Sequence, residues 1–96
     1  MRTKTSGKVA RKYIVNGRVQ GVGFRAFVNH VADSLGVRGW TGNRDDGSVE
    51  VYALGTPEQL SEFSNYLWKG SRMSYVRNVE ETEASIEDVS DFEIRF

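Results

Sequence analysis

Two amphipathic windows with helical spacing and five short alternating segments, in the order β-α-β-β-α-β-β, predict an α+β sandwich. Its antiparallel sheet carries both helices on one face. Three observations support this. Apolar residues recur at i, i+3, i+4 and i+7 in two stretches. They alternate with polar residues in the others. Glycine, proline or an Asp-Gly pair separates each segment from the next. The 96 residues hold one core rather than two, with no internal repeat or linker. Residues 1–7 are expected to form a flexible tail and residues 8–96 the single domain.

The first strand is expected over residues 8–16, where Val9, Arg11, Tyr13 and Val15 alternate with Ala10, Lys12, Ile14 and Asn16. Gly17, Gly21 and Gly23 then interrupt the chain. Phe24, Phe27, Val28, Val31, Ala32 and Leu35 mark one buried face of a helix, closed by Gly36. Residues 37–44 read as a second strand with Val37 and Trp40. Asp45 to Ser48 is a turn whose hairpin dipeptide is Asp46-Gly47. In the returning strand Val49, Val51 and Ala53 alternate with Glu50, Tyr52 and Leu54.

Thr56, Pro57 and Gln59 form a helix start: N-cap, first turn and the far side of a capping box. Leu60, Phe63 and Leu67 are that helix's apolar stripe, and Gly70 ends it. A fourth strand is expected over residues 75–87 around Val76, Val79 and Ile86. Phe92 to Phe96 alternates and reads as a short last strand. This order is the split-βαβ, ferredoxin-like α/β sandwich, β-α-β-β-α-β plus a short C-terminal strand. The arrangement hosts many activities, so function must come from a site.

Composition removes several chemistries. Without cysteine there is no thiol nucleophile, disulfide or cysteine-ligated metal. With His30 as the one histidine, a multi-histidine metal site is excluded. No apolar run approaches the ~20 residues that cross a bilayer. The polar N-terminus lacks a secretory apolar core, so a cytoplasmic protein is expected. Net charge is zero, yet residues 1–25 hold seven basic and no acidic residues, and residues 78–96 hold seven acidic residues against Arg95. Either the terminal segments attract each other, or the basic third draws in a small anion.

The informative stretch is Gly17-Arg-Val-Gln-Gly-Val-Gly-Phe-Arg25, joining a strand to a helix start. Its closely spaced glycines allow successive N–H groups to converge, and the helix terminus adds free donors and a positive dipole end. Arg25 is misplaced on dipole grounds in a first helical turn, unless an anion sits there. A tight turn with a surface arginine is the plainer alternative. A dinucleotide site is rejected because Gly21-x-Gly23-x-x-Ala26 lacks a parallel βαβ unit and a correctly placed acid. Asn43, before the hairpin, either caps the turn or offers a neutral amide to position a water.

These residues resemble the acylphosphatase family. Gly17 to Arg25 is similar to its phosphate loop with a catalytic arginine. Gly39-Trp40, Asn43 and Asp46-Gly47 are similar to its second motif, whose asparagine holds the attacking water. Phe92 to Phe96 resembles its closing strand, which usually ends in tyrosine. The resemblance spans about residues 9–96. It implies metal-free, cofactor-free hydrolysis of small acyl phosphates to a carboxylate and inorganic phosphate. On that reading Arg25 and Asn43 are catalytic. Gln20, Gly21, Val22, Gly23, Phe24 and Arg25 bind the phosphate, for which inorganic phosphate or sulfate competes. Thr41-Gly42 and Lys69-Gly-Ser-Arg72 depart from the family pattern.

The rival from another class is a non-catalytic anion-binding module of the same fold. RNA binding is disfavoured because Ser48 to Leu54 carries one aromatic and one acid where an RNA-recognition strand is aromatic-rich. A monomer with no nucleic-acid or membrane partner is expected.

Overall fold

The computed structural model describes residues 7–96, so most of the expected tail lies outside the described residues. The elements are β1 (Val9–Arg18), α1 (Phe24–Leu35), β2 (Arg38–Asn43), β3 (Val49–Gly55), α2 (Pro57–Lys69), β4 (Tyr75–Ala84) and β5 (Phe92–Arg95). They form one five-stranded sheet in the order β4-β1-β3-β2-β5. The first four strands pair antiparallel as expected. The β2–β5 edge pair is parallel.

Both helices begin and end as their sequences dictate. Gly36 takes a left-handed conformation after α1, and the Val37 N–H donates back to the Ala32 carbonyl at 2.9 Å. Thr56 and Gln59 complete a capping box, and Gln59 Nε2 also donates to the Leu35 carbonyl at 2.9 Å. The capping side chain therefore also ties the start of α2 to the end of α1. Tyr13, Val15, Val28, Val49, Val51, Leu60, Phe63 and Leu67 are buried between helices and sheet. Phe63 meets Tyr13 edge-on at 5.7 Å. The Tyr13 hydroxyl has no partner among the described residues, and burial, with Glu81 second, pushes its ionisation above the ordinary tyrosine range.

Besides the parallel edge pair, where an antiparallel sheet is expected, two expectations change. The fourth strand stops at Ala84, and Ile86 is 64% exposed. There the chain leaves the β4 edge and crosses the helix-free face toward β2. Tyr52 Oη holds this crossing segment, donating to the Ser85 carbonyl at 2.8 Å and accepting from the Glu87 N–H at 2.7 Å. That face therefore carries a core of its own, in which Ala10, Tyr52 and Leu54 pack with Trp40, Ala84 and Val89. The β2–β3 turn is also longer than an Asp-Gly pair. Asp45, Asp46 and Gly47 lie between Arg44 and Ser48, whose N–H and carbonyl join at 2.9 Å, and Gly47 has φ 92°.

The charge asymmetry has a structural outlet. β1 lies beside β4, where Arg11 reaches Glu81 at 3.4 Å, and Lys12 reaches Glu50 on β3 at 3.2 Å. No described helix is long and apolar enough to cross a membrane.

Candidate functional site

The segment between β1 and α1 turns on two glycines. Gly21 and Gly23 have φ 72° and 77°, a region that other residues seldom occupy. Gly23 is also the N-cap of α1, and no side chain caps that terminus. Helical bonding begins with the Phe27 N–H, which donates to the Gly23 carbonyl at 3.1 Å. Among the described residues, the amides from Gly21 to Ala26 donate to no carbonyl. A run of unused donors at a positive dipole end is what an anion needs.

Arg25 lies in the first turn of α1, beside those amides. Its Nη1 donates to the Arg95 carbonyl at 3.0 Å, and its guanidinium carbon sits 4.7 Å from the centre of the Phe96 ring. Arg25 is therefore pinned to the end of β5 rather than folded back over the loop. A cleft of about 180 Å³ opens between the loop and that strand, lined by Gly21, Gly23, Arg25, Ile94 and Phe96 among others. Ile94 and Phe96 were not foreseen as part of this wall. The alternation of residues 92–96 marked a strand but said nothing about which edge it joined.

Asn43 is the last residue of β2, opposite Val49. It shares the face of Gly39 and Thr41, and Thr41 lies opposite Val51 of the main core, so Asn43 projects on the helix-bearing face. Its side chain is exposed and bonds to no described residue. The turn is capped by Asp46 instead. Asp46 Oδ1 accepts from the Ser48 N–H at 3.0 Å and from Ser48 Oγ at 2.5 Å, and these bonds lower the Asp46 pKa. Gly42, the departure next to Asn43, is flanked by Glu50 and Arg95. A Cβ there would meet the Arg95 carbonyl at 3.4 Å, an ordinary contact.

The Gln20 side chain is engaged by the β2–β3 hairpin. Its Nε2 donates to the carbonyls of Arg44 and Ser48, both at 2.8 Å. The main-chain N–H of Gln20 is the part left for an anion. His30 is exposed, beside Tyr66 in a groove between the helices, and does not line the cleft. Among the described residues no three His, Asp or Glu side chains cluster as a metal site.

The acylphosphatase family model matches residues 11–94. The chain belongs to the acylphosphatase family. The matched span contains the loop, Arg25 and Asn43, and stops one residue before Arg95. An acylphosphatase of Solibacter usitatus is 48% identical over 94 residues, covering 98% of both chains. The solved acylphosphatase from Coxiella burnetii superposes with a TM-score of 0.93 at 36% identity, over 99% of this chain and 100% of that one. The acylphosphatase from Bacillus subtilis superposes with a TM-score of 0.89 at 43% identity, over 92% and 99%.

Proposed function

We propose that this acylphosphatase hydrolyses small acyl phosphates by positioning and electrostatics, with Arg25 and the loop amides holding the phosphoryl group and Asn43 holding the water. The run of amides from Gly21 to Ala26 without protein partners, next to Arg25, carries this reading. Three phosphoryl oxygens need several donors, and here the backbone supplies them already oriented.

Asn43 carries no charge and has both amide groups free, so it can bind a water without competing for the phosphate. The water attacks phosphorus, the P–O bond to the acyl group breaks, and the carboxylate leaves with its electron pair. A phosphate oxygen takes the water's proton. A carboxylate is a good leaving group, so no general acid is needed. Arg25 and the amide dipoles supply the positive charge, so the reaction needs no metal. Inorganic phosphate and sulfate compete for the same cradle, and the protein works as a monomer without nucleic acid.

The test is hydrolysis of benzoyl phosphate by purified protein in excess EDTA, with p-nitrophenyl phosphate as the monoester control. Benzoyl phosphate should be cleaved and the monoester left almost untouched. Arg25→Gln should lose about 10³-fold or more in kcat/KM. Comparable rates on both substrates, or an Arg25→Gln variant keeping a tenth of the wild-type rate, would overturn the reading.

A further inference from the structure

We infer that Gln20 is a positioning residue whose side chain fixes the aim of Asn43 by locking the β2–β3 hairpin to the phosphate loop. The inference rests on the water-holding role proposed for Asn43. Gln20 Nε2 has two hydrogens, and the two carbonyls it meets at 2.8 Å use both. The amide can sit only this way round, because its oxygen would face two carbonyl oxygens.

Both acceptors close the hairpin. The Ser48 carbonyl also accepts the Arg44 N–H at 2.9 Å, and the Arg44 carbonyl also accepts the Gly47 N–H at 3.2 Å. Gln20 therefore joins the two ends of the turn to each other and to the loop 24 and 28 residues earlier in the chain.

Asn43 immediately precedes Arg44. No described side chain or carbonyl bonds to its amide, so its direction is set by its own backbone. Beyond Asn43 the ladder between β2 and β3 ends, and the first restraints on the chain there are those at Arg44. A shift at Arg44 moves the bound water relative to the phosphorus. Misplacement of about 1 Å at a reacting centre costs on the order of 10²-fold in rate. The loop donors are main-chain N–H groups whose direction is set by Gly21 and Gly23, not by the Gln20 side chain, so phosphate binding does not depend on the clamp.

The test is a double-mutant cycle on the full chain, reading kcat for benzoyl phosphate and the inhibition constant of inorganic phosphate. Gln20→Met removes both donors at similar length. Gln20→Leu removes both donors with a shorter, uncharged side chain and serves if the methionine variant folds poorly. Melting temperature checks each sample. Either variant should lower kcat by about 10- to 100-fold and leave phosphate inhibition within about threefold. In an Asn43→Ala background the same change at Gln20 should lower kcat by less than about twofold, because the water it aims is already lost.

Equal factors in both backgrounds would overturn the inference while leaving Asn43 in its role. Weakened phosphate inhibition in step with kcat would also overturn it, since the clamp would then serve the loop. If Asn43→Ala alone leaves kcat unchanged, the water-holding reading falls and this inference falls with it.

Discussion

If Asn43 holds the water as proposed, removing its amide should separate binding from catalysis more cleanly than any other single change in this site. Its side chain bonds to no described residue, so Asn43→Ala leaves no protein donor or acceptor without a partner. The turn keeps its cap, because Asp46 accepts both bonds from Ser48. A substitution at an exposed position of this kind stays within about 0.5 kcal/mol, or roughly 2–4 °C in a domain this small. The anion cradle is also intact, so phosphate should inhibit within about threefold of wild type. The lost quantity is one aimed polar group at the reacting centre, about 2.7–4 kcal/mol or 10²–10³-fold in kcat. Measuring kcat on benzoyl phosphate, phosphate inhibition and melting temperature on one sample reads all three. Normal turnover with a melting temperature lowered by the equivalent of about 1 kcal/mol would show that Asn43 caps the turn and holds no water.

Two further outcomes follow from the same structure. Inorganic phosphate at ten times its dissociation constant should stabilise the protein by about 1.4 kcal/mol and raise its melting temperature by roughly 6–11 °C, because it binds only the folded cradle; an unchanged rate and melting temperature would show that the loop is not an anion site. Tyr52→Phe should cost about 1–3 kcal/mol, because the Ser85 carbonyl and Glu87 N–H lose their partner, whereas Tyr13→Phe removes an unpartnered buried hydroxyl and should be neutral or stabilising; urea unfolding of the pair checks the contrast, and equal losses would refute it.

What could be read from the chain was local. The spacing from Phe24 to Leu35 and the Thr56-Pro57-Gln59 start depend on neighbours within one or two turns, and both helices lie where that spacing puts them. Gly21, Gly23 and Arg25, and Asn43 at the end of β2, stand out for the same reason: each lies within a short stretch of chain. What could not be read was pairing across the chain. Gln20 is expected from the sequence among the phosphate-binding residues, but nothing there points to its side chain's contacts with the hairpin, because its acceptors are backbone carbonyls, which carry no residue signature. Residues 85–91 have neither helical nor alternating periodicity, so nothing local predicted that Tyr52 would hold them across the sheet. Arg95 and Phe96 read as the end of a strand, and their contact with Arg25 depends on which edge that strand joins.

That edge brings the loop, the hairpin and the last strand to one place. β1 runs antiparallel to β3, and β3 antiparallel to β2, so the end of β1, the start of β3 and the end of β2 fall at one end of the sheet. The loop and Asn43 meet there by strand parity alone. β5 runs parallel to β2, with Arg95 opposite Gly42, so its end arrives at the same place. An antiparallel β5 would carry its last residue to the far end and leave Arg25 without its carbonyl anchor. The chain can reach the parallel register because residues 85–91 cross the sheet before β5 begins, and the Tyr52 hydroxyl holds that crossing. These four strand ends are then tied by two side chains: Gln20 links the end of β1 to the hairpin, and Arg25 links α1 to β5. Where positioning supplies most of the catalysis, such cross-links restrict motion that would otherwise lower the rate. The crossing segment thus bears on the site from the opposite face of the sheet, by fixing the direction in which the last strand arrives.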